Sequence, residues 1–197
     1  AADAKSIAEI RRSLGLDRSL PEQFVIYLQQ LARGDLGQSI STGQPVIREI
    51  ISRLPASIEL TLAALLLSAA IALPLGILAA TRPDTWVDHL CRLVTTAGVS
   101  LPTFFTGILL VYVFYYLLGW APAPMGRLNI TYLSPPHMTG FFTIDALLAG
   151  ERETFRTALA QLILPALTLG LFTLAPLARM TRGSMLQVLG SDFVDRK

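Results

Sequence analysis

Three long uncharged stretches constrain this chain most strongly: residues 60–81, 97–121 and 162–178. Each is long enough to cross a bilayer, because about 20 apolar residues span a hydrocarbon core about 30 Å thick. A soluble domain needs a polar face on its surface helices, and these stretches offer none. The pattern therefore predicts an all-α integral membrane protein with three transmembrane helices.

The composition supports that class and excludes several others. Hydrophobic residues make up 52% of the 197 residues and charged residues 15%, against about 25% charged in an average soluble domain. The single cysteine, Cys91, rules out a disulfide framework or a Cys-based zinc site within one chain. The formal charge of +2 gives no nucleic-acid footprint.

Basic residues next to the apolar stretches predict the orientation. Arg82 and Arg92 border the turn after the first stretch, and Arg179 and Arg182 follow the third. With three spans, both regions lie on the same side of the membrane, and the positive-inside rule makes that side cytoplasmic.

This topology predicts two regions in the chain. Residues 1–56 form an external helical segment, and residues 57–197 form a transmembrane domain whose external loop covers 121–161. An external segment of this length needs a preceding span to carry it across, and the sequence contains no such span or signal peptide. We therefore expect a truncated domain whose first membrane helix is missing.

Cap and turn residues predict the shorter helices. One helix is expected over residues 3–15, and a capping box formed by Ser19 and Glu22 begins the next. A further helix is expected from Pro45 to Leu54, with Pro55 breaking it before the first span. The apolar residues 141–149 are too short to span and predict a short packed or interfacial helix.

Catalytic arrangements are weak in this sequence. His89 and His137 fall on opposite sides of the membrane in the predicted topology, so they cannot act together. Ser184 lacks the second glycine of a nucleophile elbow, and no Gly-rich phosphate loop with a lysine occurs. Glu59 lies at the outer end of the first span, and two roles stay open for it: an interfacial residue, or part of the mouth of a pathway. The chain is thus not expected to be an enzyme.

Several strings, taken in order, resemble one family. They are GDLGQS (34–39), RLPASIEL (53–60), PLGILAA (74–80), SLPTFFTG (100–107), GWAP (119–122), LILPALTLG (162–170) and RMTRGSML (179–186). They are similar to the permease subunits of bacterial ATP-binding-cassette importers for dipeptides, oligopeptides and nickel, and in particular to the first permease of the pair. The similarity covers nearly the whole chain.

The resemblance implies a type I importer permease in the bacterial cytoplasmic membrane, working with separate partners. These would be a second homologous permease, two ATPase subunits that use ATP and Mg, and an external solute-binding protein. No cofactor would belong to this chain. A cytoplasmic loop that docks into the ATPase should begin near its end, at Gly190, Ser191, Asp192, Phe193 and Val194.

Six residues are our candidates for the translocation path. They are Ser100, Pro102, Phe104 and Phe105 on the second span, with Thr168 and Gly170 on the third. The solute stays open between peptides, nickel chelates and glutathione. Rival functions are a membrane scaffold, a membrane-embedded enzyme or an ion channel, of which the enzyme lacks a nucleophile and base at one depth.

Overall fold

The computed structural model of the protein describes residues 17–129 and 131–191, without the side chains of 97–99. Within these ranges the chain is helical and contains no β-strand, which confirms the all-α prediction. The helices are α1 (Leu20–Ala32), α2 (Val46–Thr81), α3 (Trp86–Ser100), α4 (Thr103–Leu110), a π-helix (Val111–Leu117), α5 (Phe142–Leu148) and α6 (Arg152–Leu189). The helix predicted over residues 3–15 lies outside the described residues.

Two compact units divide the chain after Leu54. The described part of the first unit contains α1, a turn-rich segment and the first residues of α2. The backbone N–H of Ser19 donates to the Glu22 carboxylate at 3.2 Å, so the predicted capping box is present. The helix ends at Ala32, and Gly34 follows with a φ of +77°, a left-handed conformation that glycine adopts without steric cost.

Helix α2 is longer than the sequence predicts. It runs for 36 residues, about 54 Å at the usual rise, with Pro55 and Pro74 inside it. The predicted break at Pro55 is therefore wrong. Proline removes one hydrogen bond from the helical ladder, and the many remaining turns of so long an apolar helix outweigh that loss.

The second apolar stretch is divided rather than continuous. Helix α3 ends at Ser100, Leu101 is extended with a ψ of 133°, and α4 begins after Pro102. Proline restricts the residue before it to extended backbone, which explains the break. Among the described residues, two helices are long and apolar enough to cross a membrane, α2 and α6. A span formed by the divided second stretch stays a prediction.

The π-helix after α4 is a feature that the sequence did not predict. Its wider turns end at Leu117, and the backbone N–H groups of Trp120 and Ala121 both donate to the Phe114 carbonyl, at 2.8 and 3.0 Å. The rings of Tyr112 and Tyr116 stack with centroids 5.5 Å apart. Such turns are rare and occur frequently at functional sites.

Small residues let the long helices of the second unit approach each other closely. Helix α6 contacts α3, α4 and α5, and a buried cluster joins α2, α3 and α6 through Ala72, Ala79, Cys91, Leu174 and Ala178. A Cβ atom built on Gly76 would lie 2.7 Å from Thr181 Cβ and 2.9 Å from the Ala178 carbonyl oxygen. Close backbone approach at small residues is how helices associate in lipid, where hydrophobicity gives no net attraction between them.

We predict that Gly76→Ala destabilises the full-length protein, because the added methyl group forces α2 and α6 apart. The expected loss is about 1–3 kcal/mol, measured by thermal unfolding in detergent. Gly183→Ala on α6 is the matched control, since a Cβ there has no neighbouring atom within 4 Å and alanine favours the helix by up to about 1 kcal/mol. Equal effects of the two substitutions would contradict this packing.

Candidate functional site

An ion pair with a buried carboxylate joins α2 to the segment 121–161, which keeps the name external loop only from its predicted location. The Glu59 side chain is 9% exposed, and Arg127 Nη2 donates to its carboxylate at 2.8 Å. Thr143 donates to the same carboxylate from its backbone N–H at 2.9 Å and from its hydroxyl. Arg127 also donates to the Gly140 carbonyl at 2.8 Å, and its guanidinium carbon lies 3.6 Å from the centre of the Phe142 ring. Glu59 therefore ties the external loop to the first apolar helix.

A second buried carboxylate, Asp145 on α5, organises the same loop. It accepts backbone N–H donors from Met138 at 3.3 Å, Thr139 at 2.8 Å and Gly140 at 2.9 Å, and it also accepts the Thr139 hydroxyl. Burial acts to raise the pKa of Asp145, but these hydrogen bonds outweigh burial and hold the pKa below its usual value. The Asp145 carboxylate is thus ionised at neutral pH and accepts these hydrogen bonds. They are weakened only as the pH falls through that lowered pKa.

Beside the Glu59 pair the helices border a largely apolar, partly open cavity of about 650 Å³. Its walls come from α2, α4, α6 and the external loop, and its polar lining includes Glu59, Arg127, Gln161 and Thr168. Gln161 donates to the Ala123 carbonyl at 3.0 Å. Ligand sites of proteins are commonly apolar clefts of about 300–1,000 Å³ with a few polar groups, and this cavity falls in that range.

A smaller cavity of about 220 Å³ lies on the other side of Thr168, between α3, α4 and α6. Leu101, Thr103 and Thr106 line it, so the break before α4 forms part of its wall. Between the two cavities α4 passes close to α6, since a Cβ on Gly107 would lie 3.3 Å from Thr168 Cγ2. Thr168 is the residue at which the two cavities meet.

The structure separates the six predicted path residues. Thr168 lines both cavities, whereas Gly170 packs against α2, where its Cβ would lie 3.2 Å from the Ala64 carbonyl oxygen. The side chains of Phe104 and Phe105 are 70% and 47% exposed. The other two, Ser100 and Pro102, are exposed at the break between α3 and α4. Their roles in a path stay predictions.

At the opposite end of α2, Asp88 is fully buried and forms a second charged cluster. Arg182 of α6 donates to both carboxylate oxygens, from Nε at 2.7 Å and from Nη2 at 3.0 Å. Arg92 Nη2 donates at 2.6 Å, and the backbone N–H of Asp84 at 3.2 Å. The Arg182 guanidinium, followed by that of Arg92, holds the pKa of Asp88 well below its usual range.

The Asp88 cluster bears on the predicted topology. The turn bordered by Arg82 and Arg92 and the region around Arg182 were expected on the same side of the membrane. The contact between Asp88 and Arg182 brings these two regions together at one end of the second unit, as a shared side would require. Their cytoplasmic location stays a prediction.

The segment predicted to begin the ATPase contact is described only in part. Gly190 follows α6, and its N–H donates to the Leu186 carbonyl at 3.0 Å. The Ser191 hydroxyl donates to the Val188 carbonyl at 2.7 Å, which closes the last turn. Asp192, Phe193 and Val194 lie outside the described residues.

The sequence did not predict either of the two groups of paired charges. Glu59 was weighed alone, and Arg127 and Asp88 were not considered, because their partners are 68 and 94 residues away in the chain. A usable signal was present: few charges border the apolar stretches, and a charge at the edge of a membrane segment needs a partner.

The described residues form helices, two of which are long and apolar enough to cross a membrane, as a membrane protein requires. Residues 72–195 match the family model described as binding-protein-dependent transport system inner membrane component. The chain belongs to this family.

Curated relatives match nearly the whole chain. It is 46% identical over 189 residues to a probable D,D-dipeptide transport system permease protein of Escherichia coli (strain K12), covering 95% of the chain and 55% of that protein. It is 42% identical over 192 residues to a di/tripeptide transport system permease protein of Pseudomonas aeruginosa (strain UCBPP-PA14), covering 98% and 56%. The chain thus spans about half the length of these relatives.

We predict that Arg127→Met loosens the external loop of the full-length protein, because it leaves the buried Glu59 carboxylate without its counter-charge. The expected loss is about 2–3 kcal/mol, seen as faster protease cleavage in residues 121–141 and a lower unfolding temperature. Adding Glu59→Gln should recover part of that loss, since it removes the unpaired charge.

Arg156→Met supplies the matched control, because Arg156 is 79% exposed and 4.0 Å from its nearest acidic partner. It should change neither readout. If Arg127→Met behaved in the same way as this control, the Glu59 pair would not be what holds the loop.

Proposed function

We propose that this chain is part of the permease of an ATP-driven, binding-protein-dependent importer of di- and oligopeptides, and that it supplies the path and no covalent chemistry. The single observation that carries this proposal is identity of 42–46% over nearly the whole chain to proteins named for dipeptide and di/tripeptide transport. A permease for nickel chelates or glutathione in the same family is the alternative, and the peptide names of the relatives favour peptides.

The partners follow from the kind of transport system to which the family belongs. A second permease, two ATPase subunits that use ATP and Mg, and an external binding protein would complete the importer. The permease would cross the bacterial cytoplasmic membrane several times, with residues 1–56 and 121–161 external and spans near 60–81, 97–121 and 162–178. The end of α6, from Gly190, would lead into the ATPase contact.

The path would use the wall around Thr168. The large cavity has the size and the mixed lining that a short peptide needs, with apolar walls for side chains and Arg127 and Gln161 for polar groups. Four exposed residues of the second span would face the second permease, and each permease would form one half of the path. They are Ser100, Pro102, Phe104 and Phe105.

The function is tested by transport with the full-length permease, reconstituted with its partner permease, ATPases and binding protein in proteoliposomes. We expect uptake of a labelled dipeptide that requires ATP and the binding protein. A scaffold would give no uptake under these conditions, and an ion channel would give conductance without ATP. Either result would overturn the proposal.

For the path, we predict that Thr168→Phe lowers dipeptide uptake about tenfold or more, because the ring fills space that both cavities share. Thr173→Phe is the matched control. Thr173 lies on the same helix with its hydroxyl on the Gly170 carbonyl at 3.1 Å, as the Thr168 hydroxyl is on Leu164 at 2.8 Å, but it does not line either cavity. Equal uptake by the two variants would remove Thr168 from the path.

A further inference from the structure

We propose that Asp88 and Arg182 are a positioning pair for transport: they hold the inner ends of α3 and α6 together, so that movement at the end of α6 reaches the α4 wall of the cavities. This inference rests on the proposed function and assigns a role in it to two residues outside the path. It is carried by geometry, burial and the position of the pair between two functional segments.

The contact has the form of a specific joint. Asp88 is 0% exposed and Arg182 24% exposed, and the guanidinium fork meets both carboxylate oxygens. Bidentate contacts of this kind fix orientation as well as distance. A buried carboxylate needs such compensation, since an isolated charge in the interior is costly.

The other charged residues around Asp88 also form ion pairs. Arg92 on the same helix adds a third strong hydrogen bond and also contacts Asp84 at 3.2 Å in the turn before α3. Two carboxylates thus face two guanidinium groups. Arg92 is half exposed, so it supports the joint from the surface, whereas Arg182 connects Asp88 to α6 from inside.

The location of the pair gives it a transmitting position. Arg182 stands about 10 Å before the end of α6 at Leu189, where the segment predicted to meet the ATPase begins. On the other side, Asp88 stands about 18 Å before Ser100, where α3 stops and the break at Leu101 leads into α4. The joint would therefore link the end of α6 to the end of α3, beside the break that leads into α4.

The packing around the pair is tight, which keeps the joint from sliding. Cys91, one turn from Asp88, is buried in the cluster with Leu174 and Ala178 of α6. Close-packed interiors pass displacement on because they do not deform continuously. If the pair is weakened, we expect the movement of α3 to be less tightly coupled to that of α6, while the ATPases still hydrolyse ATP.

The test measures the coupling ratio, ATP hydrolysed per dipeptide taken up, in the full reconstituted importer and per assembled complex. Arg182→Lys keeps the charge but loses the fork, and Asp88→Asn keeps the size but loses the charge. For both variants we expect the ATP hydrolysis stimulated by the binding protein to stay within about twofold of that of the unsubstituted importer. The coupling ratio should rise about tenfold, which corresponds to the loss of one charge-assisted hydrogen bond.

Arg156→Lys on α6 is the matched control and should leave the ratio unchanged, because its side chain is 79% exposed. A purely structural role would lower the amount of assembled complex but leave its ratio normal. An unchanged ratio in Arg182→Lys, or complete loss of assembly in both variants, would therefore overturn the inference. Absence of ATP-dependent uptake in the unsubstituted importer would instead overturn the proposed function, and this inference with it.

Discussion

Close backbone contact between α2 and α6 is the constraint on which the rest of the second unit depends. A Cβ on Gly76 would lie 2.7 Å from Thr181 Cβ, and a Cβ on Gly170 would lie 3.2 Å from the Ala64 carbonyl oxygen, so the two long helices approach each other closely at both points. In lipid such contacts replace the hydrophobic driving force that water supplies. Residues of both helices line the larger cavity, so its shape depends on how closely the two helices pack.

The two buried ion pairs lie at the two ends of this helix pair. Glu59 with Arg127 joins the external loop to α2, and Asp88 with Arg182 joins α3 to α6. A charge that leaves water needs both a counter-charge and hydrogen bonds, and each carboxylate has them. The ends of the unit are therefore held by polar contacts, while its middle is held by small-residue packing. The α4 segment has no ion pair among the described residues, and it lies next to the cavities.

The sequence could predict what depends on local pattern. Apolar length predicted α2 and α6, and cap residues predicted the start of α1. The apolar residues 141–149 predicted a short helix, which the structure has at Phe142–Leu148. Pro102 was available as a signal for the break after Leu101, but the uninterrupted apolar run outweighed it. At Pro55 the predicted helix end was wrong, because a proline that ends an isolated helix is tolerated within a long one. The pairing of Asp88 with Arg182 depends on tertiary packing across the chain, and no local pattern contains it.

The proposed function requires that the Asp88 end of the unit faces the cytoplasm and the Glu59 end faces outward. Labelling of single cysteines in intact cells with a membrane-impermeant maleimide tests it directly. Leu133, 90% exposed in the external loop, and Pro83, exposed in the turn before α3, supply the two positions, and the native Cys91 is buried. We predict that Leu133→Cys is labelled in intact cells and Pro83→Cys only after permeabilisation. Labelling of Pro83→Cys from outside intact cells would contradict the account.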